Sequence, residues 1–232
     1  MKPGPTGIRS NLDEVRERIA GAAARSGRDA GQVILVGVVK TVPPAIIGQA
    51  LGLGLTDLGE NRVQEADAHV AALGRAAARW HLIGHLQRNK VARAVALFDR
   101  VHALDSVELA EALSRRAVEA GRRMPVLVEV NVSGEASKFG VAPEALMGLL
   151  ERAAGLPGLT LEGLMTVGAK VARAEEARPA FARLRGLRDR AGPALGRALP
   201  ELSMGMSSDF EVAVEEGATL VRVGTALFGG RP

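Results

Sequence analysis

The chain contains no cysteine and no tyrosine, a single tryptophan and five phenylalanines in 232 residues. Without cysteine there is no thiol nucleophile, no disulfide and no thiolate metal site. So few aromatic rings also leave out the stacking surfaces that hold single-stranded nucleic acids. Neither sign of charge dominates: 30 Lys plus Arg stand against 26 Asp plus Glu, a net of +4. A nucleic-acid partner is therefore not expected. Long apolar runs are missing as well. The uncharged stretch Val33–Val39 falls far short of the roughly 20 residues that cross a bilayer, so no membrane association is expected. The opening MKPGPTGIRSN places Pro and Gly where an export signal needs a continuous apolar region, which makes the cytoplasm the expected location.

Hydrophobic residues make up 47% and charged residues 24%, the balance of a soluble globular protein. Short β-branched runs alternate with longer Ala- and Arg-rich amphipathic segments, the pattern of a parallel sheet wrapped by helices. The strand candidates are Val33–Val39, Leu55–Gly59, Trp80–Gly84, Arg100–Leu104, Pro125–Val132, Thr160–Val167, Glu201–Gly205 and Ala218–Gly224. Helices are predicted over Asn11–Ala24, Pro44–Leu51, Asn61–Gly74, Leu86–Leu97, Val107–Ala120, Pro143–Ala154, Arg173–Ala191 and Asp209–Glu216. Ser10 with Asp13 and Ser208 with Glu211 resemble capping boxes, and Gly121 and Gly217 follow helices. Eight βα units in one domain spanning residues 1–232 predict a single (β/α)8 barrel; an open doubly wound sheet is the alternative.

Lys40 ends the run VILVGVVK, and Pro43 and Pro44 turn the chain just after it. In a barrel this is the catalytic face, where apolar walls lower an ammonium pKa and make the amine a nucleophile able to form a Schiff base. The plainer reading is a lysine that snorkels from a strand end. Near the C-terminus SMGMSSDFE and TLVRVGTALFG follow strands seven and eight, where barrels bind phosphate. Ser207 or Ser208, with the amides at Gly224 and Thr225, offers hydroxyl and N–H donors to an anion. A helix cap explains Ser208 equally well, and tight backbone packing explains Gly224. Arg222 alternates with Val221 and Val223, so if the valines face the helices its guanidinium points into the barrel and needs a partner. His81 and His85 have helical metal-ligand spacing, but on a strand that spacing separates them by about 13 Å, so no metal site is expected. His85 is then a polar residue at the rim, together with Asn61, Asn131 and Lys138. QRNK at Gln87–Lys90 reads as a solvated helix face.

These motifs resemble the pyridoxal phosphate homeostasis protein family, whose fold is like the N-terminal barrel of alanine racemase. The likeness rests on the strand ending in Lys40, LGENRVQE, WHLIGHLQRNK, SVELAEALS, VNVSGEASKFG, LEGLMTVG and LSMGMSSDFEVAVEEGATLVRVGTALFG, in that order. The resemblance implies that Lys40 carries pyridoxal 5′-phosphate as an aldimine. It also implies that Ser207, Gly224 and Thr225 hold the phosphate and that Arg222 faces the pyridine nitrogen, with Asn61 and His85 completing the cofactor site. The chain departs from the family pattern at Val39, where Ser is frequent, at Val42, where a further lysine is frequent, and at the terminal GGRP, which lacks the family's lysines. Racemases of this fold use a second base, normally a tyrosine from an additional domain, and this chain has no tyrosine. The expected function is a monomeric carrier that buffers pyridoxal phosphate and supplies it to apo-enzymes without turnover. The alternative is an amino-acid racemase or Schiff-base lyase of low activity.

Overall fold

A computed structural model describes residues 5–135, 138–168 and 171–229. Helix α1 (Pro5–Arg25) precedes β1 (Ile34–Val38), α2 (Pro44–Gly52), β2 (Asp57–Glu60), α3 (Val63–Leu73), β3 (Arg79–Leu82) and α4 (Val91–Leu97). The order continues through β4 (Arg100–Leu104), α5 (Val107–Glu119), β5 (Met124–Glu129), α6 (Leu146–Ala154), β6 (Leu159–Met165) and α7 (Arg178–Ala194). It ends with β7 (Glu201–Ser203), α8 (Phe210–Glu215), β8 (Leu220–Val223) and the single turn α9 (Thr225–Phe228). All strands run parallel, each pairs with its sequence neighbour, and β8 returns to β1 with Val36 opposite Arg222. The sheet is thus a closed barrel, and the open alternative is excluded. Among the described residues no helix is long and apolar enough to cross a membrane.

Local chemistry sets the boundaries. Pro43 caps α2 and Pro44 fills its first turn, where a missing N–H costs nothing. Gly121 and Gly217 take φ of 67° and 98° after α5 and α8. There Arg122 N–H returns to Ala117 O and Ala218 N–H to Ala213 O, the long-range bond of a glycine-terminated helix end. Helices α4, α6 and α7 begin later than their sequence pattern suggests because Arg88–Lys90, Pro143–Ala145 and Ala174–Ala177 form tighter 3-10 turns. Neither serine capping box forms. Helix α1 begins at Pro5, which leaves Ser10 inside it. Asp209 rather than Ser208 is the residue before α8, and its Oδ1 accepts a bond from Met206 N–H upstream.

Apolar residues form two buried clusters. The larger joins the outer face of the barrel to the helices; the smaller, Val36, Ala103, Leu127, Met165 and Leu220, fills part of the barrel interior. Polar side chains occupy the rest of that interior, with His81, His102, Ser203 and Arg222 all buried. Val221 and Val223 lie in the outer cluster, so strand alternation turns Arg222 inward.

Candidate functional site

The chain leaves β1 through a narrow turn. Val39 N–H donates to Gly59 O at 3.0 Å, which continues the pairing with β2, and Val42 N–H donates back to Val39 O at 2.9 Å. Between these anchors Thr41 takes φ 62°, the one positive value among the described non-glycine residues. A β-branched residue in that region carries about 1–3 kcal/mol of strain, so the surroundings must hold the turn. His69 on α3 supplies one hold, its Nε2–H donating to Val42 O at 3.0 Å. The other ring nitrogen, Nδ1, lies 2.5 Å from Oε1 of the buried Glu60. With Nε2–H given to Val42 O, a bond between Nδ1 and Oε1 needs a proton shared by the two; burial pushes the Glu60 carboxyl up, and the bond to that carboxyl pushes His69 up. Lys40 at the centre of the turn is half-buried.

Lys40 opens onto a cavity of about 610 Å³ at the carboxyl ends of the strands. Asn61, Ser207, Ser208, Arg222, Gly224 and Thr225 also line it, and Val38, Ile46, Ile83 and Phe228 form apolar walls. Ser207 Oγ accepts from Gly224 N–H and Ala226 N–H, each at 3.2 Å, which ties the loop after β7 to the start of α9. A Cβ on Gly224 would stand 3.3 Å from that of Val38, so close packing against β1 shapes this wall. Asn61 owes its place to Gly84, where a Cβ would come within 2.5 Å of the Asn61 carbonyl oxygen. A larger groove of about 950 Å³ lies outside the barrel between α1 and the last turn of α2. It is remote from the strand carboxyl ends, where ligands of such barrels bind.

Arg222 forms the inner floor of the cavity and is 3% exposed. Its Nη1 donates to Ser203 Oγ at 2.6 Å and its Nη2 to Thr166 O at 2.8 Å. Burial lowers the guanidinium pKa to about 10, still far above neutrality, while Glu129 and Asp209 pull it upward. Glu129, at the end of β5, is pushed up to about 7 by burial, with Arg222 acting in the opposite sense.

Six of the seven residues that the sequence assigns to the cofactor line this cavity: Lys40, Asn61, Ser207, Arg222, Gly224 and Thr225. The seventh, His85, does not. Its Nδ1 lies 3.1 Å from Asp105 Oδ2 and its ring stacks on Phe139 with centroids 4.2 Å apart, beside the mouth rather than in it. Asn131 and Lys138 serve their own loop. Asn131 Oδ1 accepts from Ser133 and Gly134, and Lys138 pairs with Glu135 at 2.8 Å. His81 faces the barrel interior, and among the described residues no cluster of three or more ligands suits a metal. Residues 136 and 137 of the VNVSGEASKFG motif and the terminal 230–232 lie outside the described residues. Sequence reading missed Glu60 and His69, which hold the Lys40 turn, and Ser203 and Thr166, which hold Arg222. Only the LGEN motif at Glu60 and the need of a buried arginine for partners pointed toward them.

The closed parallel barrel is that of the alanine racemase N-terminal domain, whose family matches residues 10–232. Full-length relatives narrow the assignment. The pyridoxal phosphate homeostasis protein of Aquifex aeolicus is 46% identical over 220 residues, 95% of this chain and 96% of its own. That of Pseudomonas aeruginosa is 44% identical over 224 residues, 97% and 96% of the two chains. Among solved structures, PipY of Synechococcus elongatus with PLP bound gives a TM-score of 0.81 at 38% identity, covering 93% of this chain and 100% of that one. The chain belongs to the pyridoxal phosphate homeostasis protein family.

Proposed function

We propose that the protein binds pyridoxal 5′-phosphate reversibly in the cavity at the strand carboxyl ends and passes it to apo-enzymes, with no turnover of amino acids. The observation that carries this reading is the convergence of an amine, an anion cradle and a fixed cation on one cavity of about 610 Å³, a volume that suits a cofactor of this size. When bound, the cofactor supplies an aldehyde for the Lys40 Nζ to hold covalently. Ser207 Oγ already accepts two amide protons, from Gly224 and Ala226, which leaves its own O–H to donate to a phosphate oxygen; the Thr225 amide adds a donor beside it, while Gly224 shapes the wall and steadies Ser207. Arg222, immobilised by Ser203 and Thr166, presents a permanent donor to the ring nitrogen. Such a donor keeps that nitrogen unprotonated and weakens the electron sink that amino-acid chemistry requires. The lack of any tyrosine, the usual second base of racemases with this fold, supports the same conclusion. The homeostasis name of the relatives agrees with it. All residues invoked come from one chain, which suits a monomer, and we place its work in the cytoplasm.

Two measurements test the reading. Protein mixed with pyridoxal 5′-phosphate gains a visible absorption band, and Lys40→Ala lacks it. In deuterated water with L- and D-amino acids, solvent deuterium enters Cα no faster than with free cofactor. Faster incorporation that disappears in Lys40→Ala replaces the carrier with a racemase or Schiff-base lyase.

A further inference from the structure

A continuous series of buried hydrogen bonds runs the length of the barrel interior below the cavity. It starts at Arg222 and passes through Ser203 Oγ to His102 Nδ1 at 2.9 Å. From His102 Nε2 it reaches His81 Nδ1 at 2.9 Å, and from His81 Nε2 it reaches Asp57 Oδ1, again at 2.9 Å. Asp57 opens β2 at the opposite end of the barrel, where Arg79, with its side chain 62% exposed, meets the same carboxylate at 2.7 Å. A second cavity, of about 450 Å³ and lined by both residues, opens there to solvent.

The donor and acceptor at every link follow from valence. A guanidinium only donates, so Ser203 Oγ accepts from Arg222, and among the described residues His102 Nδ1 is the partner left to take its single proton, which would otherwise be buried unpaired. That leaves His102 with its proton on Nε2, which donates to His81 Nδ1. His81 in turn carries its proton on Nε2 and donates to Asp57. Starting from the other end gives the same answer. Although burial raises its pKa, bonds from His81, Arg79 and Thr56 hold Asp57 well below the usual carboxylate range, so it accepts only. Burial keeps both imidazoles neutral, and Arg100 opposes a proton on either ring, as Arg222 does on His102. A proton added to His81 or His102 would set two N–H groups face to face or leave Ser203 without an acceptor.

We propose that Ser203, His102, His81 and Asp57 form a one-way hydrogen-bonded chain that positions Arg222 as a fixed cationic donor toward the nitrogen of a heteroaromatic ligand in the cavity. These are positioning residues: none of them except Arg222 lines the cavity. The consequence is that His81, three hydrogen bonds from Arg222, tunes a ligand it does not touch. The part of the proposal that concerns the ligand rests on the function proposed above; the tautomers do not.

The test has a ligand-free arm and a loaded arm. Nitrogen-15 NMR of the ligand-free wild-type protein near neutral pH is expected to show His81 and His102 both neutral and both protonated on Nε2. A cationic ring or an Nδ1–H tautomer at either position overturns the chain, whatever the protein binds. In the loaded arm, His81→Phe is expected to move the visible band of bound pyridoxal 5′-phosphate and weaken binding about tenfold. His81→Gln, whose amide retains one donor and one acceptor, is expected to restore both toward wild type. Equal band positions and affinities in wild type and His81→Phe overturn the positioning role. If His81→Phe does not fold, His81→Gln against His81→Leu reads the same contrast and the NMR result still decides. Wild-type protein that takes up no cofactor while showing the expected tautomers refutes the proposed function and leaves the chain intact.

Discussion

His69 and Val42 are joined by a 3.0 Å bond from the imidazole Nε2 to the carbonyl oxygen, and through it α3 holds the turn that presents Lys40. Replacing His69 with leucine releases this turn and strands Glu60, which is fully buried, without its partner. A broken buried pair costs about 3–5 kcal/mol, so His69→Leu is expected to lower the denaturant midpoint sharply and, if the proposed function holds, to weaken cofactor capture by Lys40. The pH dependence follows from the raised His69 pKa. The contribution is complete below the unfolded value of about 6.5 and is lost as pH rises through the folded one. The gap between wild type and His69→Leu should therefore narrow in alkaline solution; a gap that widens contradicts the shared proton.

Glu129 makes stability fall with rising pH as well, through a carboxyl with no hydrogen-bonded partner of its own among the described residues. Its carboxyl is raised by burial from 4.5 to about 7, so between those values the folded state holds the additional proton. Stability accordingly falls as pH climbs through that window. Glu129→Gln is expected to gain about 3 kcal/mol at pH 8 and nothing at pH 4. Urea titrations at the two pH values check it, and equal gains at both refute it.

Ser207→Ala removes a hydroxyl that joins the β7 loop to α9 and, in the proposed function, touches phosphate. The expected loss is about 1.5–3 kcal/mol of affinity for pyridoxal 5′-phosphate, with Thr225→Val acting in the same direction. Pyridoxal itself serves as the comparison. Equal losses for both ligands would place these side chains away from the phosphate.

Gly84→Ala tests how Asn61 reaches the cavity. A methyl group there meets the Asn61 carbonyl oxygen at 2.5 Å and forces the backbone away. We expect a cost of about 2 kcal/mol in thermal or chemical melts, together with weaker cofactor binding. Unchanged affinity in a destabilised variant would show that Asn61 does not serve the ligand.

The parts of this architecture that depend on near neighbours were legible in the sequence. Alternation along β8 is local, so Arg222 could be assigned to the interior from the two valines beside it, and Pro43 with Pro44 located the start of α2. Lys40 was placed by the same kind of short-range pattern. The partners of these residues were not legible. His81 meets Asp57 and His102 across β2, β3 and β4, and Ser203 reaches His102 from the far side of the barrel. Contacts of this kind depend on strand register and tilt, to which hydrophobic periodicity is blind. The serine capping boxes failed although their spacing was present: α1 begins at Pro5, which leaves Ser10 inside the helix, and α8 starts after Asp209.

The pairing of β1 with β8 places Lys40 and Arg222 on adjacent staves of the barrel although they come from opposite ends of the chain. The wall that holds both is the last to close during synthesis, because β8 must emerge before β1 can gain its second neighbour. A nascent chain truncated before β8 therefore has the lysine but no pocket around it. In the proposed function a ligand held by both Lys40 and Arg222 would span this final seam like a clasp and stabilise the closed barrel by mass action.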